Sequence, residues 1–149
     1  MSEPTFRPAT KDDVPAVAAV GNQLWEDMGP KSGFPQQPTA EGLGLIVAGD
    51  ATRIFVCETD GEVCGFSVLS RDADDAETAV MGVWLLPGAR GKGTGRELAL
   101  MATEFARESG YKKLRGTLPP DNEGALSFFS EIATLAQVVG QGMEYELPL

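Results

Sequence analysis

The chain has 149 residues, of which 42% are hydrophobic, and this length and composition predict a single globular domain over residues 1–149. Its net charge of −10 argues against nucleic acid or an anionic membrane as partners, and the lack of histidine excludes Ser-His-Asp catalysis and most zinc sites. With two cysteines, no apolar run near the about 20 residues of a membrane span and no leader pattern, we expect a cytoplasmic protein without a metal.

The first third of the chain predicts one strand and two helices. Residues 5–7 are a candidate strand, and the apolar residues that follow recur at helical spacing as far as Trp25. Prolines and glycines between residues 28 and 38 indicate a loop. Thr39 can cap a second helix that ends near residue 48.

A β-hairpin is the clearest local prediction. Residues 53–58 and 63–69 are rich in β-formers, and the Asp-Gly pair at 60–61 favours a two-residue turn between them. Counting outward from that turn places Cys57 opposite Cys64. This pair is either a redox pair or two small apolar residues on one sheet face, and we favour reduced thiols.

The second half alternates between strands and helices. An acidic loop at 72–77 precedes a nearly continuous apolar strand at 78–86, which suggests burial on both faces. A helix is predicted from about residue 94 to 109, followed by a strand at 113–118. The remaining predicted elements are a helix at 122–132 and a hairpin of strands 137–139 and 143–147.

The connection between the strand at 78–86 and the helix that follows is glycine-rich and basic. Four glycines between residues 88 and 95 let backbone N–H groups converge, and the start of the helix adds unpaired donors and the positive end of its dipole. Arg90, Lys92 and Arg96 add positive charge to an acidic chain. The connection therefore predicts a site for a pyrophosphate or a similar polyanion.

Two common phosphate-binding motifs do not fit this connection. The nucleoside triphosphate loop G-x-x-x-x-G-K-[ST] fails because Thr94 and Gly95 stand where Lys and Ser or Thr belong. The dinucleotide motif G-x-G-x-x-G fails because Arg96 occupies the position of its third glycine.

The run Arg-Gly-Lys-Gly-Thr-Gly at 90–95 instead resembles the R/Q-x-x-G-x-G/A loop of the GCN5-related N-acetyltransferase (GNAT) family. The hairpin around residues 60–61 and the sequence Asn122, Glu123 and Ala125, similar to the family's N-x-x-A helix start, extend the likeness. The resemblance implies an α/β acetyltransferase-like fold. Such a fold has a mixed, mostly antiparallel sheet with one parallel strand pair and helices on both faces.

The resemblance also implies where acetyl-CoA, the cosubstrate, would bind. The strand at 113–118 would splay away from the strand at 78–86 and open a slot for the pantetheine arm. Residues of three segments would contact the cosubstrate: backbone groups of Val83, Trp84, Leu85 and Leu86; the loop residues Arg90, Gly91, Lys92, Gly93, Thr94, Gly95 and Arg96; and Asn122 and Phe129 in the following helix.

The sequence departs from the family pattern at the catalytic positions. Phe129 stands where many members have a tyrosine that protonates the leaving thiolate, and Met81 stands near a frequent glutamate. Other hydroxyl groups, those of Ser127, Ser130, Tyr111 and Tyr145, have no positional support, so the general acid and base are unassigned. Two interpretations follow: an N-acetyltransferase in which water supplies the proton, or a non-catalytic module that binds or senses acyl-CoA.

The expected acceptor is a small cationic amine. Trp25, Glu26, Asp27 and Phe34 lie where family members form acceptor sites, and the acidic turn at 72–77 is a candidate second wall. Acidic and aromatic groups suit a cationic amine through ion pairing and cation–π contact. The sequence leaves open whether the protein forms a homodimer.

Overall fold

The computed structural model describes residues 4–28, 39–49, 51–89, 93–117, 137–139 and 144–149. The strands in this part of the chain are β1 (Thr5–Pro8), β2 (Arg53–Thr59), β3 (Glu62–Arg71), β4 (Thr78–Leu85), β5 (Lys113–Thr117), β6 (Gln137–Val139) and β7 (Glu144–Pro148). They form one sheet in the order β1-β2-β3-β4-β5-β7-β6. The β4–β5 pair is parallel and the others are antiparallel, as the sequence predicted.

The helices of the described residues are α1 (Val14–Met28), α2 (Ala40–Ala48) and α3 (Thr94–Glu108). The side chain of Thr39 caps α2 by accepting a hydrogen bond from the Gly42 N–H at 3.0 Å. This confirms the cap expected from the sequence. The helix predicted at 122–132 lies outside the described residues.

Helices cover both faces of the sheet. Alternate side chains of each central strand point to opposite faces, so that each strand contributes to both layers. On one face, Ile54 and Val56 of β2 pack with α1 and α2 in one apolar cluster. On the other face, Phe55 of β2 and Met81 of β4 pack with α3 in a second cluster. The mixed sheet with helices on both faces, predicted from the sequence, is confirmed.

The predicted hairpin forms, but its register differs from the prediction by one residue. Asp60 and Gly61 have φ angles of 55° and 81°, as a two-residue hairpin turn requires. Beyond Thr59 and Glu62 the ladder contains a bulge, so that Cys57 pairs with Gly65 and not with Cys64. The predicted cysteine pairing is therefore wrong, because β3 carries one residue more than β2 at this point.

A network of charges fixes the start of the chain to the sheet. Both terminal nitrogens of the Arg7 guanidinium donate to the Asp13 carboxylate at 2.7 Å, and Nε donates to Glu58 at 2.6 Å. The Asp13 carboxylate also accepts the Thr10 backbone N–H at 2.7 Å. One arginine thus links β1, β2 and the turn that leads into α1.

Candidate active site

The edge of β4 beyond its ladder with β5 is the candidate site. The parallel ladder runs from Thr78, opposite Lys113, to Met81, opposite Gly116. β4 then continues to Leu85 and remains paired with β3 along this stretch, whereas β5 is described only as far as Thr117. The divergence of these two strands, expected from the family resemblance, therefore stays a prediction, and the slot that it would form beside residues 83–86 is called the opening.

The backbone of β4 is oriented to receive an extended ligand at this opening. The Leu86 N–H donates to the Cys64 carbonyl at 3.0 Å, which directs the backbone of Leu86 toward β3. Because backbone groups alternate between the two sides of an antiparallel strand, those of Val83 and Leu85 point toward the β5 side. An extended chain can therefore add to this edge as a further strand.

The N-terminus of α3 lies directly beside the opening. Gly93 caps the helix with a φ of 75°, in the left-handed region that favours glycine. Gly95, in the first turn, approaches β4 so closely that an added Cβ would lie 3.2 Å from Leu85 Cδ1 and 3.8 Å from Val83 Cγ1. The positive end of a 15-residue helix is thus held against the residues that flank the opening.

The structure brings together only part of the predicted phosphate loop. Thr94 is buried, and Arg96 is exposed on the first turn of α3. Arg90, Gly91 and Lys92 lie outside the described residues, as do Asn122 and Phe129, so their predicted contacts with the cosubstrate stay predictions.

Aromatic side chains lie on the α1 side of β4. The Trp84 ring packs 5.3 Å from the Phe66 ring and folds across Gly82, where an added Cβ would lie 2.1 Å from Trp84 Cη2. Trp25 at the end of α1 is half-buried against the same cluster as Trp84. From the sequence, only the backbone of Trp84 was assigned a role. The two-residue spacing between Gly82 and Trp84 nevertheless places these two residues on one face of the strand.

The predicted acceptor residues fall into three groups. Trp25 packs near the aromatic group of β4, while Glu26 and Asp27 are exposed on the last turn of α1. Phe34 lies outside the described residues. These positions are compatible with an acceptor site on the α1 side of the opening.

The 72–77 turn lies at the end of β4 away from the start of α3, and its predicted place at the acceptor stays a prediction. It precedes Thr78, the first residue of β4, which is about 23 Å along the strand from Leu85. Its acidic groups have structural partners: Asp72 accepts from Arg115 at 3.1 Å, and Glu77 lies 3.8 Å from Lys112 Nζ.

The residues considered as general acid or base lie in different parts of the fold. The buried Tyr111 donates its hydroxyl to the Ala51 carbonyl at 2.6 Å, beyond the C-terminal end of α3 and thus far from the opening. Met81 is buried against α3, where its sulfur lies 4.0 Å from the Thr103 hydroxyl. The backbone of Tyr145 lies opposite Gly116, and Ser127 and Ser130 lie outside the described residues.

No group of three or more histidine, cysteine, aspartate or glutamate residues within the described ranges could hold a metal ion. No helix in this part of the chain is long and apolar enough to cross a membrane.

Comparison with known proteins agrees with this geometry. The model of the acetyltransferase (GNAT) family matches residues 18–133. The chain is 33% identical over 117 residues to the uncharacterized N-acetyltransferase YjgM of Escherichia coli (strain K12), a match that covers 74% of this chain and 69% of that protein. The fold and the opening define an acetyltransferase-type domain, and the chain belongs to the GNAT family of acetyltransferases.

Two more similarities bear on the site. The chain is 37% identical over 79 residues to streptothricin acetyltransferase of Streptomyces lavendulae, covering 52% of this chain and 42% of that protein. The fold of this chain is similar to that of a phosphinothricin acetyltransferase from Sinorhizobium meliloti in complex with acetyl-CoA, with a TM-score of 0.80 and 16% sequence identity. The match covers 100% of this chain and 89% of the other.

Proposed function

We propose that this enzyme transfers the acetyl group of acetyl-CoA to the amine of a small cationic acceptor. The observation that carries the proposal is the edge of β4 at Val83 and Leu85, which lies close to the first turn of α3 at Gly95. An extended edge and a helix N-terminus together match a ligand with an amide-containing arm and a pyrophosphate.

The cosubstrate would lie along β4. Backbone groups of Val83 and Leu85 would bond the amides of the pantetheine arm, and the amides at the start of α3 would face the pyrophosphate. The glycines at 93 and 95 allow that approach, because one has a positive φ and the other leaves no room for a Cβ beside Leu85 without a shift. Arg90, Lys92, Asn122 and Phe129 complete the proposed site from the sequence.

The proposed chemistry is direct attack. The acceptor nitrogen forms a bond to the thioester carbonyl, the carbon–sulfur bond breaks, and CoA leaves as a thiolate. The amine loses one proton and the thiolate gains one, so the step balances without an oxidant or a metal. Since Phe129 cannot donate a proton, we assign the protonation of the thiolate to water.

The acceptor would approach from the α1 side of β4. Glu26 and Asp27 are exposed there beside the half-buried Trp25, a combination that favours a cation through charge and cation–π contact. A net charge of −10 adds a long-range attraction for such molecules. Streptothricin, which names one of the similar acetyltransferases, is the first compound to test, and phosphinothricin, which names another and carries a carboxylate and a phosphinate, is the anionic comparison.

Binding of the cosubstrate is tested by calorimetry and thermal shift with CoA and acetyl-CoA. We expect binding that raises Tm and that weakens about tenfold in Arg90→Ala, because one charge-assisted contact to phosphate is lost. Lys11→Ala removes the same charge before α1 and is expected to bind normally. An unchanged Tm at millimolar ligand would contradict the proposal.

Turnover is tested by thiol release from acetyl-CoA with a panel of amines. We expect amine-dependent release by the wild type, and an equal or higher rate in Phe129→Tyr, which restores the family's proton donor. Binding of acetyl-CoA with no thiol release across the panel and with the two named compounds would favour the acyl-CoA-binding module.

A further inference from the structure

The two cysteines of the chain meet at the β2–β3 bulge. Their sulfur atoms lie 3.3 Å apart, and the Cys64 thiol also lies 3.5 Å from the Cys57 carbonyl and from the Thr59 hydroxyl. Both thiols are free in the structure. The bulge removes the direct pairing of the two residues but leaves their side chains in contact on the α3 side of the sheet.

Little movement separates this contact from a covalent bond. The sulfurs of a disulfide are about 2.05 Å apart, so the pair must close by slightly more than 1 Å. Because Cys64 is the additional residue of the bulge, its backbone is less constrained by the ladder than that of a regular strand residue.

The two thiols differ in their surroundings. Cys57 is fully buried, and this burial, followed by its contact with Cys64, raises the pKa of the Cys57 thiol to about 12. Cys64 is half-buried and is thus the more exposed residue of the two. An oxidant from solvent would meet Cys64 first and find Cys57 directly behind it.

We propose that Cys57 and Cys64 are a reversible oxidation site that hydrogen peroxide converts to an intramolecular disulfide. The Cys64 thiolate attacks one peroxide oxygen, the O–O bond breaks, and the hydroxide released takes up a proton, leaving a sulfenic acid on Cys64. The Cys57 sulfur then attacks the Cys64 sulfur, the S–O bond breaks, and the departing hydroxide takes the Cys57 proton. Two thiols lose two electrons, and one peroxide becomes two waters.

Oxidation at this site is coupled to the acetyl-CoA site, an effect that rests on the proposed function. The Cys64 carbonyl accepts the Leu86 N–H, and an added Cβ on the next residue, Gly65, would lie 2.4 Å from Leu85 Cδ2. Leu85 also lies close to the start of α3, where an added Cβ on Gly95 would be 3.2 Å from Leu85 Cδ1. Drawing Cys64 toward Cys57 therefore disturbs the β4 residues that border the opening.

The test treats the reduced protein with hydrogen peroxide and measures disulfide formation by mass spectrometry after thiol alkylation. We expect loss of two hydrogen atoms, no cross-linked dimer, and full reversal by a dithiol reductant. Cys57→Ala should give a dimedone-trapped sulfenic acid on Cys64, whereas Cys64→Ser should react several times more slowly because Cys57 is buried. Absence of the intramolecular disulfide in the wild type, or equal reactivity of the two variants, overturns the proposal.

The coupling is measured separately as acetyl-CoA affinity before and after oxidation. We expect the dissociation constant to rise several-fold in the oxidised wild type and to stay constant in peroxide-treated Cys64→Ser. A disulfide with unchanged affinity overturns the coupling. If the reduced protein does not bind acetyl-CoA, that result contradicts the proposed function instead. Mass spectrometry still shows in that case whether the disulfide has formed.

Discussion

Single residues at the start of α3 determine whether the helix can approach β4. Gly93 has a positive φ with open space around its Cα, so the constraint at this position is conformational. Gly95 has an ordinary φ but lies in contact with Leu85, so its constraint is steric. Two neighbouring glycines are thus required for different reasons.

Replacing Gly93 with valine is expected to lower the free energy of unfolding by about 1–2 kcal/mol, because the left-handed conformation is unfavourable by this amount for an L-residue. Acetyl-CoA binding should weaken as well, since the first turn of α3 can no longer keep its position. Urea unfolding and calorimetry measure the two effects. Gly110→Val is the control, because Gly110 also has a positive φ and open space but lies beyond the C-terminal end of α3, so it should lose stability and keep its affinity for acetyl-CoA; equal losses of affinity in both variants would contradict the explanation.

Asp13 is a carboxyl group whose pKa is clearly perturbed. The hydrogen bonds from Arg7, more than any other contact, hold the pKa of its carboxyl well below the usual range. A lowered pKa in the folded state means that the group stabilises the protein above its unfolded pKa of about 3.9. That contribution is lost as the pH falls below this value.

Asp13→Asn should therefore cost about 1–2 kcal/mol at neutral pH, since Arg7 is partly exposed and the pair is partly screened by solvent. Denaturant unfolding from pH 7 down to about pH 3 should show the difference from the wild type shrinking below about pH 4. The control substitution Asp12→Asn, at the adjacent and exposed residue, should have little effect on the free energy of unfolding at any pH. A difference that stays constant with pH would contradict the assigned role.

At the scale of elements, β4 has two different faces and two different edges. One face packs against α3 through Met81 and Leu85, and the other carries Trp84 over Gly82. One edge is paired with β3 throughout, whereas the ladder on the β5 edge ends at Met81. The strand therefore supports the core in its first half and borders the proposed site in its second.

The contact between Gly82 and Trp84 can be tested by a double-mutant cycle. Gly82→Ala should destabilise the protein by about 1–3 kcal/mol, because the new methyl group overlaps the Trp84 ring. In a Trp84→Ala background the same change should cost less than about 1 kcal/mol, since the overlap is gone. Equal costs in both backgrounds would show that the backbone of β4, and not the ring, requires glycine.

At the scale of the whole molecule, charge is distributed unevenly. Asp72 and Glu77 of the 72–77 turn are paired with Arg115 and Lys112, whereas Glu26 and Asp27 at the end of α1 are exposed. The acidic chain thus has both acids with structural partners and acids accessible to a cationic ligand. Only the second group is expected to influence the acceptor.

Neutralising Glu26→Gln and Asp27→Asn together should raise the KM of the acceptor about threefold to tenfold and leave acetyl-CoA affinity unchanged. Steady-state thiol release and calorimetry give the two values. The double variant Asp12→Asn with Asp74→Asn changes the net charge equally in exposed loops away from the opening. If both double variants raise KM equally, net charge and not position is responsible.

Much of the fold could be predicted from local sequence signals. The turn at Asp60 and Gly61 is specified by residues that tolerate positive φ, and the α2 cap is specified by the side chain of Thr39. The glycine-rich connection before α3 likewise identified the family. Each of these signals lies within a few residues, where the chain's own geometry limits the alternatives.

The sequence by itself determined the element order, the parallel β4–β5 pair implied by the family resemblance, and the glycines at the start of α3. Only the tertiary structure decided that a bulge shifts Cys57 to Gly65, that the 72–77 turn lies at the far end of β4, and that Trp84 folds over Gly82. The physical reason is that register and distance across a sheet depend on packing between strands far apart in sequence. A single additional residue alters which side chains meet, while every local propensity stays the same.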